Sequence, residues 1–266
     1  MTITKNDILL AYDCANWFFK NRPDNKKKKA EEYSYSKHHL AIPFYTMPFE
    51  LTDRRYFNDY SSGANGFTAV YNAEIFVVAF DSSDNARDWR SNFKYQQKIM
   101  PYAESATSKV RMHGAYAEGW MRLRDEIHRA FTRSRCKQVL VCGYSMGGGM
   151  APICALDLQF TFQLAEDAIK CIIGDGPRVF NKAGKVSYNR RVPNTIRLKW
   201  GNDIVTKLPP PIFGFYHIGK KLHFGPAEHW WKMSFLDHDP GRGAYNSIMY
   251  RLEDGPIESG WLKDSR

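Results

Sequence analysis

The sequence has few cysteines, no paired cysteine motif and no long apolar run. Its five cysteines among 266 residues include no Cys-x-x-Cys pair, so we interpret them as reduced core thiols rather than zinc ligands or a disulfide framework. The longest apolar run, Ile75–Phe80, is far shorter than the roughly 20 residues of a membrane helix. The N-terminal segment, interrupted by Asp13, is too short and too acidic for a secretory signal. These absences predict a cytoplasmic protein that needs neither disulfides nor a metal.

Positive charge is the first notable feature that the sequence does have. The formal net charge is +10, and Lys26–Lys29 is an uninterrupted run of lysines. Such a run is typical of a solvated loop, but it would also suit an anionic membrane surface or nucleic acid. The sequence has no zinc-finger spacing, recognition-helix pattern or aromatic RNA-binding motif, which argues against nucleic acid. A solvated loop and peripheral contact with an anionic membrane therefore stand as the two interpretations.

The order of apolar patterns predicts an α/β protein. Periodicity predicts helices over 3–20, 84–95, 116–133 and 146–164, and strands over 67–71, 73–80, 110–112, 138–142, 169–173 and 195–200. From residue 138 onward the strands and helices alternate, as they do in a parallel sheet with right-handed crossovers. The chain length allows one domain over 1–266, in which residues 1–60 would form a helical cap and a basic loop. Active-site groups of such a sheet are expected at the C-terminal strand ends.

A glycine-flanked serine follows the predicted strand 138–142. The segment Gly143-Tyr144-Ser145-Met146-Gly147 has the G-x-S-x-G form that presents a nucleophilic hydroxyl between a strand and a helix. The helix that follows directs its N-terminal amides at the serine, so the N–H group of Met146 is an expected oxyanion donor. The alternative is a phosphate-binding turn, which the missing G-x-x-x-x-G-K and G-x-G-x-x-G spacings disfavour. The pattern therefore predicts Ser145 as a nucleophile.

A serine nucleophile needs a histidine base and a carboxylate that orients it. In this type of fold the chain order is serine, acid, histidine. Two aspartates, Asp175 and Asp203, lie at predicted strand ends after the serine. The histidines that follow them are His217, His223, His229 and His238. On the residues alone, both acids and several histidines remain candidates.

Several segments together resemble one protein family. In chain order they are Val77–Ser83 with Asp88 and Trp89 beyond it, Val110–Tyr116, Cys142–Ala151, Gly176–Asn181, Asp203–Pro210 and Tyr216–Gly219. The chain thus resembles the class 3, fungal-type triacylglycerol lipases over residues 65–250. The resemblance implies the α/β-hydrolase fold, with a mostly parallel central sheet flanked by helices and a lid near the site.

The resemblance also implies a catalytic triad. It assigns Ser145 as nucleophile and Asp203 as the acid, which leaves Asp175 a structural or supporting role. The family's base lies shortly before an aromatic residue, and His238, which precedes Tyr245, matches that pattern in a looser form. His217, in the segment similar to the family's Y-x-H-V-G, is the alternative base.

The oxyanion loop and the lid are implied in the same way. Ser83 matches the family position whose amide and hydroxyl hold the oxyanion together with the N–H of Met146. Asp81 departs from the family pattern there, so a plain turn is the alternative. Trp89 and Phe93, spaced as on one helix face, correspond to the lid, although an ordinary surface helix would show the same spacing.

The function implied is hydrolysis of carboxylic esters through an acyl-enzyme, without metal or organic cofactor. The resemblance makes acylglycerols the expected substrates, and the positive charge also favours phospholipids. Two alternatives remain: an esterase for short soluble esters, and a catalytically silent basic protein that binds lipid surfaces.

Overall fold

The structure is a computed structural model that describes residues 3–20, 50–59, 62–80, 95–99, 108–225, 228–229, 231–234, 236–238 and 263–264. The side chains of residues 16–20 and 263–264 are not among those described. Several predictions fall outside these ranges. They are the lysine run, nearly all of the helix predicted over 84–95, and the side chains of Asp81, Ser83, Trp89 and Phe93.

In the described part of the chain, a mixed eight-stranded sheet forms the centre of the fold. Its strands, in the spatial order β1-β2-β3-β6-β7-β8-β9-β10, are β1 (Leu51–Asp59), β2 (Ala64–Tyr71), β3 (Ile75–Phe80), β6 (Gln138–Tyr144), β7 (Ile169–Gly174), β8 (Thr195–Trp200), β9 (Lys220–Phe224) and β10 (Lys263–Asp264). Strands β3 to β9 of this sheet are parallel, whereas β1, β2 and β10 pair antiparallel with their neighbours. Two short strands, β4 (Gln97–Lys98) and β5 (Met112–His113), pair with each other outside it. The C-terminal ends of β6, β7 and β8 therefore meet at one edge.

Helices cover both faces of the sheet. They are α1 (Lys5–Lys20), α2 (Gly114–Ser134), α3 (Gly147–Phe162) and α4 (Lys182–Arg191). Successive side chains of a strand point to opposite faces. In β6, Leu140 and Cys142 accordingly pack into the core with α1, while Val139 and Val141 pack into the core with α2 and α3. The all-apolar run of β6 follows from this burial on both faces.

Helix α1 begins where the sequence supplies a capping pair. The Thr4 hydroxyl accepts a hydrogen bond from the Asp7 N–H (3.2 Å), and the Asp7 carboxylate accepts one from the Thr4 N–H (2.7 Å), as in a capping box. The same carboxylate forms a buried ion pair with Lys170 of β7 at 2.8 Å. The N-terminal helix is thus attached directly to the middle of the sheet.

The predicted α/β architecture is confirmed, and most of the predicted elements that lie in the described ranges are present. Two of the elements missed, β1 and α4, have a physical explanation. Strand β1 is mostly exposed and irregular between Thr52 and Arg55, so it lacks a clear apolar alternation. Helix α4 is largely polar and starts because the Asn181 side chain accepts a hydrogen bond from the Gly184 N–H at 2.8 Å.

All five cysteines are buried free thiols, as the sequence predicts. Among the helices that the structure describes, none is long and apolar enough to cross a bilayer. The cytoplasmic location and the single-domain organisation stay predictions.

Candidate active site

The serine turn joins the end of β6 to the start of α3. Ser145 has a φ of +56°, a conformation that is costly for any residue with a side chain. Its N–H donates a hydrogen bond to the Gly174 carbonyl at 2.9 Å, which ties the turn to β7. A Cβ atom on Gly143 would lie 2.2 Å from the Gly147 carbonyl oxygen, so glycine is required at that bend. The strained turn holds the serine side chain at the C-terminal edge of the sheet.

Three predicted residues meet at this edge. The Nε2 atom of His238 lies 2.7 Å from the Ser145 hydroxyl oxygen, and its Nδ1 atom lies 2.8 Å from Oδ2 of Asp203. Asp203 is fully buried, and its Oδ1 accepts a hydrogen bond from the Val205 N–H at 2.8 Å. A carboxylate at Nδ1 favours the tautomer with the proton there, which leaves Nε2 free to accept the serine proton. This is the geometry of a nucleophile, a base and an orienting acid.

The loop after β8 anchors the segment that carries His238. Asn202 is fully buried in that loop. Its N–H donates to the Asp237 carboxylate at 2.8 Å, and its side-chain oxygen accepts from the His229 N–H at 2.7 Å. The Ser234 N–H donates to the Asn202 carbonyl at 3.0 Å. The residue before Asp203 therefore anchors the segment that leads to His238 at three points, a role that the sequence pattern does not reveal.

The other predicted histidines make different contacts. His217 is half-buried, and its Nε2–H donates to the Thr206 carbonyl at 2.7 Å. Burial, together with the positive charges of Arg197 and Arg178, holds the pKa of His217 well below its ordinary value, so the ring is neutral. The Nε2 atom of His223 lies 3.1 Å from the Gly201 carbonyl. The hydrogen bonds to both Ser145 and Asp203 are made by His238.

Tyr144 and Asp175 adjoin the site; the sequence suggested a structural or supporting role for Asp175 and did not single out Tyr144. The Tyr144 hydroxyl donates to the His238 carbonyl at 2.6 Å and lies 3.3 Å from Oδ2 of Asp175. The Tyr144 ring stacks on the His238 ring with centroids 5.4 Å apart. Asp175 is buried with a φ of +44°. Its burial, and then the nearby charge of Asp203, raise the pKa of the Asp175 carboxyl well above its usual range.

Of the predicted oxyanion donors, the structure describes one. Met146 has helical backbone angles and immediately precedes α3, so its N–H group lies at the positive end of that helix dipole. Ser83 lies outside the described residues. In the described ranges, no cluster of His, Cys, Asp and Glu side chains is arranged to hold a metal ion.

Comparison with known proteins places this geometry in context. The family model "Lipase (class 3)" matches residues 77–213. The secreted mono- and diacylglycerol lipase 1 of Fusarium solani is 27% identical over 177 residues, which cover 63% of this chain and 50% of that protein. The chain spans about half the length, or less, of the curated relatives that it matches.

Solved structures show the same fold at lower identity. The triacylglyceride lipase of Rhizomucor miehei superposes with a TM-score of 0.67 at 19% identity, covering 90% of this chain and 95% of that one. A second structure is that of a triacylglycerol lipase whose catalytic centre is described as a serine protease triad. It superposes with a TM-score of 0.64 at 19% identity, covering 82% of this chain and 78% of that one. These likenesses confirm the α/β-hydrolase fold. Because the family model matches more than half of its residues, the chain belongs to the class 3 lipase family.

Proposed function

We propose that the protein is a serine hydrolase that cleaves carboxylic esters of lipids, with Ser145 as nucleophile, His238 as base and Asp203 as the orienting acid. The observation that carries the proposal is the continuous pair of hydrogen bonds, 2.7 Å and 2.8 Å long, from the Ser145 hydroxyl through His238 to Asp203. Membership of the class 3 lipase family supports it.

The reaction that this arrangement supports is acyl transfer to water. Nε2 of His238 takes the Ser145 proton as the serine oxygen bonds to the ester carbonyl carbon, and the carbonyl π electrons move onto its oxygen. The Met146 N–H, and Ser83 as the family resemblance implies, stabilise that oxyanion. The alcohol leaves with the proton from His238, and the acyl group stays on Ser145. Water then adds by the same route and releases the acid. No cofactor takes part in any of these steps.

Apolar side chains next to His238 support a lipid substrate. Trp231, Met233 and Leu236 are each 63% exposed on the segment that ends at the histidine. Two more exposed apolar residues, Ile212 and Phe213, lie in a short 3₁₀ turn (Pro211–Phe213) beyond the Asp203 loop. Water-exposed tryptophan, methionine and leucine are costly for a soluble esterase but stabilise contact with a lipid surface. We therefore favour acylglycerols or phospholipids over short soluble esters.

Covalent labelling tests the nucleophile. We expect a fluorophosphonate probe to add one adduct to the folded protein, seen by intact mass, and peptide mapping to place it on Ser145. The matched control is Ser134→Ala. It removes a hydroxyl at the end of α2 that donates to the Phe131 carbonyl and accepts from the Cys136 N–H, and it should leave labelling intact. Absence of an adduct on folded wild-type protein would contradict the proposal and favour a catalytically silent relative.

Chain-length profiling tests the substrate class. The substrates are p-nitrophenyl esters from acetate to palmitate. We expect the hydrolysis rate of the longer esters to rise when the substrate concentration exceeds the critical micelle concentration. A rate that is highest for acetate and shows no rise at the critical micelle concentration would support the soluble-esterase alternative.

We further propose that the segment around Trp231 contacts an anionic membrane. Lys232 is exposed between Trp231 and Met233, so a cation accompanies the apolar side chains. Changing Trp231, Met233 and Leu236 together to serine should weaken binding to vesicles of phosphatidylcholine with phosphatidylglycerol about 100-fold. The reason is that each apolar side chain, partly buried in the lipid, contributes roughly 1 kcal/mol, or about 3 kcal/mol for the three. Co-sedimentation with these vesicles measures the effect.

A matched control is Val186→Ser, which removes a 66% exposed apolar side chain from α4 and should leave vesicle binding unchanged. Ser145→Ala should also bind as the wild type does, because the proposed contact does not use the nucleophile. Equal binding by the triple variant and the wild type would refute the membrane contact.

A further inference from the structure

Tyr144 contacts the proposed base in two ways. Its ring stacks on the His238 ring at an interplanar angle of 28°, and its hydroxyl donates to the His238 carbonyl at 2.6 Å. Tyr144 is the last residue of β6 and directly precedes Ser145. A Cβ atom on Gly174 would lie 2.7 Å from the Tyr144 ring, so glycine at this position avoids a steric clash with the ring. The residue next to the nucleophile thus holds both the ring and the main chain of the histidine.

Asp175 carries two energetic costs. Its φ of +44° is a conformation that glycine adopts without strain and that other residues adopt less readily. Its carboxyl group is also buried, which is unfavourable unless hydrogen bonds replace water. Glycine would serve the backbone at this position without either cost. A strained, buried polar side chain of this kind points to a role for the carboxyl group itself.

The contacts of that carboxyl group lead to the triad. Oδ1 accepts a hydrogen bond from the Trp200 N–H at 2.9 Å, and Oδ2 lies 3.3 Å from the Tyr144 hydroxyl. The Trp200 carbonyl in turn accepts a hydrogen bond from the Asp203 N–H at 3.3 Å, so both aspartates bond to the last residue of β8. Asp175 is therefore placed between the acid of the triad and the tyrosine that holds the base.

The surroundings of the two carboxyl groups favour different protonation states. Nearby buried carboxylates disfavour each other's ionisation, and Asp203 is the one whose oxygens accept hydrogen bonds from the His238 Nδ1–H and the Val205 N–H. Burial and the Asp203 charge raise the pKa of Asp175 well above its usual range, which favours the protonated form of that group. A neutral acid beside a carboxylate is a hydrogen-bond donor to it.

We infer that Asp175 and Tyr144 are positioning residues of the hydrolase, with neutral Asp175 donating a hydrogen bond to Asp203 while Tyr144 holds the ring and carbonyl of His238. The inference rests on the proposed function, because it assigns these residues a part in orienting the proposed base. Small displacements of a base lower the rate of proton transfer without changing how the ester binds. The expected signature is accordingly a lower kcat with an unchanged KM.

Three variants separate this role from a structural one. Asp175→Asn keeps an acceptor for the Trp200 N–H and offers a neutral N–H donor to Asp203, so its kcat should stay within about 3-fold of wild type. Asp175→Gly relieves the backbone strain but removes the donor, and its kcat should fall about 10- to 100-fold. Tyr144→Phe keeps the ring stacking, loses the hydroxyl and should lose about 10-fold in kcat. Each is measured with p-nitrophenyl butyrate, alongside its melting temperature.

A second readout does not depend on activity. In ¹⁵N-histidine NMR, assigned by comparison with His238→Gln, the wild type should show His238 with its proton fixed on Nδ1. Tyr144→Phe and Asp175→Gly should show a mixture of tautomers, and Asp175→Asn should resemble the wild type.

The outcomes distinguish the inference from the proposed function. If wild-type protein neither hydrolyses esters nor takes the fluorophosphonate label, the proposed function fails, while the NMR comparison still decides whether Asp175 and Tyr144 orient His238. If wild type is active and either Asp175→Gly or Tyr144→Phe retains full kcat and an unchanged His238 tautomer, the positioning role is overturned. A loss of kcat in Asp175→Asn equal to that in Asp175→Gly would overturn the role of a neutral donor.

Discussion

Ser145→Ala is expected to lower kcat/KM for p-nitrophenyl butyrate by about 10⁶-fold, to the limit of detection. The reason is chemical rather than structural. The variant keeps the turn at φ +56° and the hydrogen bond from its N–H to the Gly174 carbonyl, but it has no oxygen to form the acyl-enzyme. The melting temperature should therefore stay within a few degrees of wild type, and steady-state kinetics on freshly purified protein measures the loss.

The matched control for this change is again Ser134→Ala, which should retain kcat/KM within about 2-fold because its hydroxyl lies at the end of α2 and caps that helix. If contaminating esterases are excluded by fluorophosphonate labelling, residual activity above about 1% in Ser145→Ala would mean that another nucleophile carries the reaction.

His238→Gln is expected to lower kcat at least about 10⁴-fold, whereas His217→Gln should stay within about 3-fold of wild type. Glutamine cannot carry a proton from Ser145 to the leaving alcohol, so position 238 loses its base. At position 217 the glutamine amide can replace the Nε2–H that donates to the Thr206 carbonyl. The paired substitutions make the same chemical change in two histidines, of which only His238 bonds to both Ser145 and Asp203.

Both variants should be compared by kcat with p-nitrophenyl butyrate and by thermal melting. His217 is half-buried and bonds to the Thr206 carbonyl, so any loss there should appear as a lower melting temperature rather than a lower kcat at 20 °C. A severe loss of kcat in a fully folded His217→Gln, together with an active His238→Gln, would reverse the assignment of the base.

The serine turn could be predicted from the sequence because its determinants are local. An apolar strand, two glycines and a following helix occupy consecutive positions around Ser145, and each has its own sequence signal. The acid could also be predicted as a candidate, since Asp203 follows a strand whose apolar pattern is clear. For the same reason Asp175 remained a candidate, because it too follows a buried strand.

The choice of histidine could not be made from the residues alone. His238 lies in a segment without apolar periodicity. It is brought to Asp203 because the Asn202 N–H donates a hydrogen bond to Asp237 and the Asn202 side-chain oxygen accepts one from the His229 N–H. The contact between Tyr144 and Asp175 depends on strand order. Strand β6 pairs with β7 in a register that places Tyr144 opposite Gly174, so the side chain of Tyr144 meets that of Asp175, the next residue. This contact could not be predicted, because the sequence does not state which strands are neighbours.

The attachment of the His238 segment to Asn202 also bears on the order in which the protein matures during synthesis. Ser145 and its base are 93 positions apart, and the segment between them supplies the loop on which the base is fixed. A nascent chain that has emerged only as far as β8 already has the serine turn, but its hydroxyl has no base and is no more reactive than that of any other serine. We therefore expect the proposed hydrolytic activity to arise only when residues up to 238 have left the ribosome and docked on the sheet.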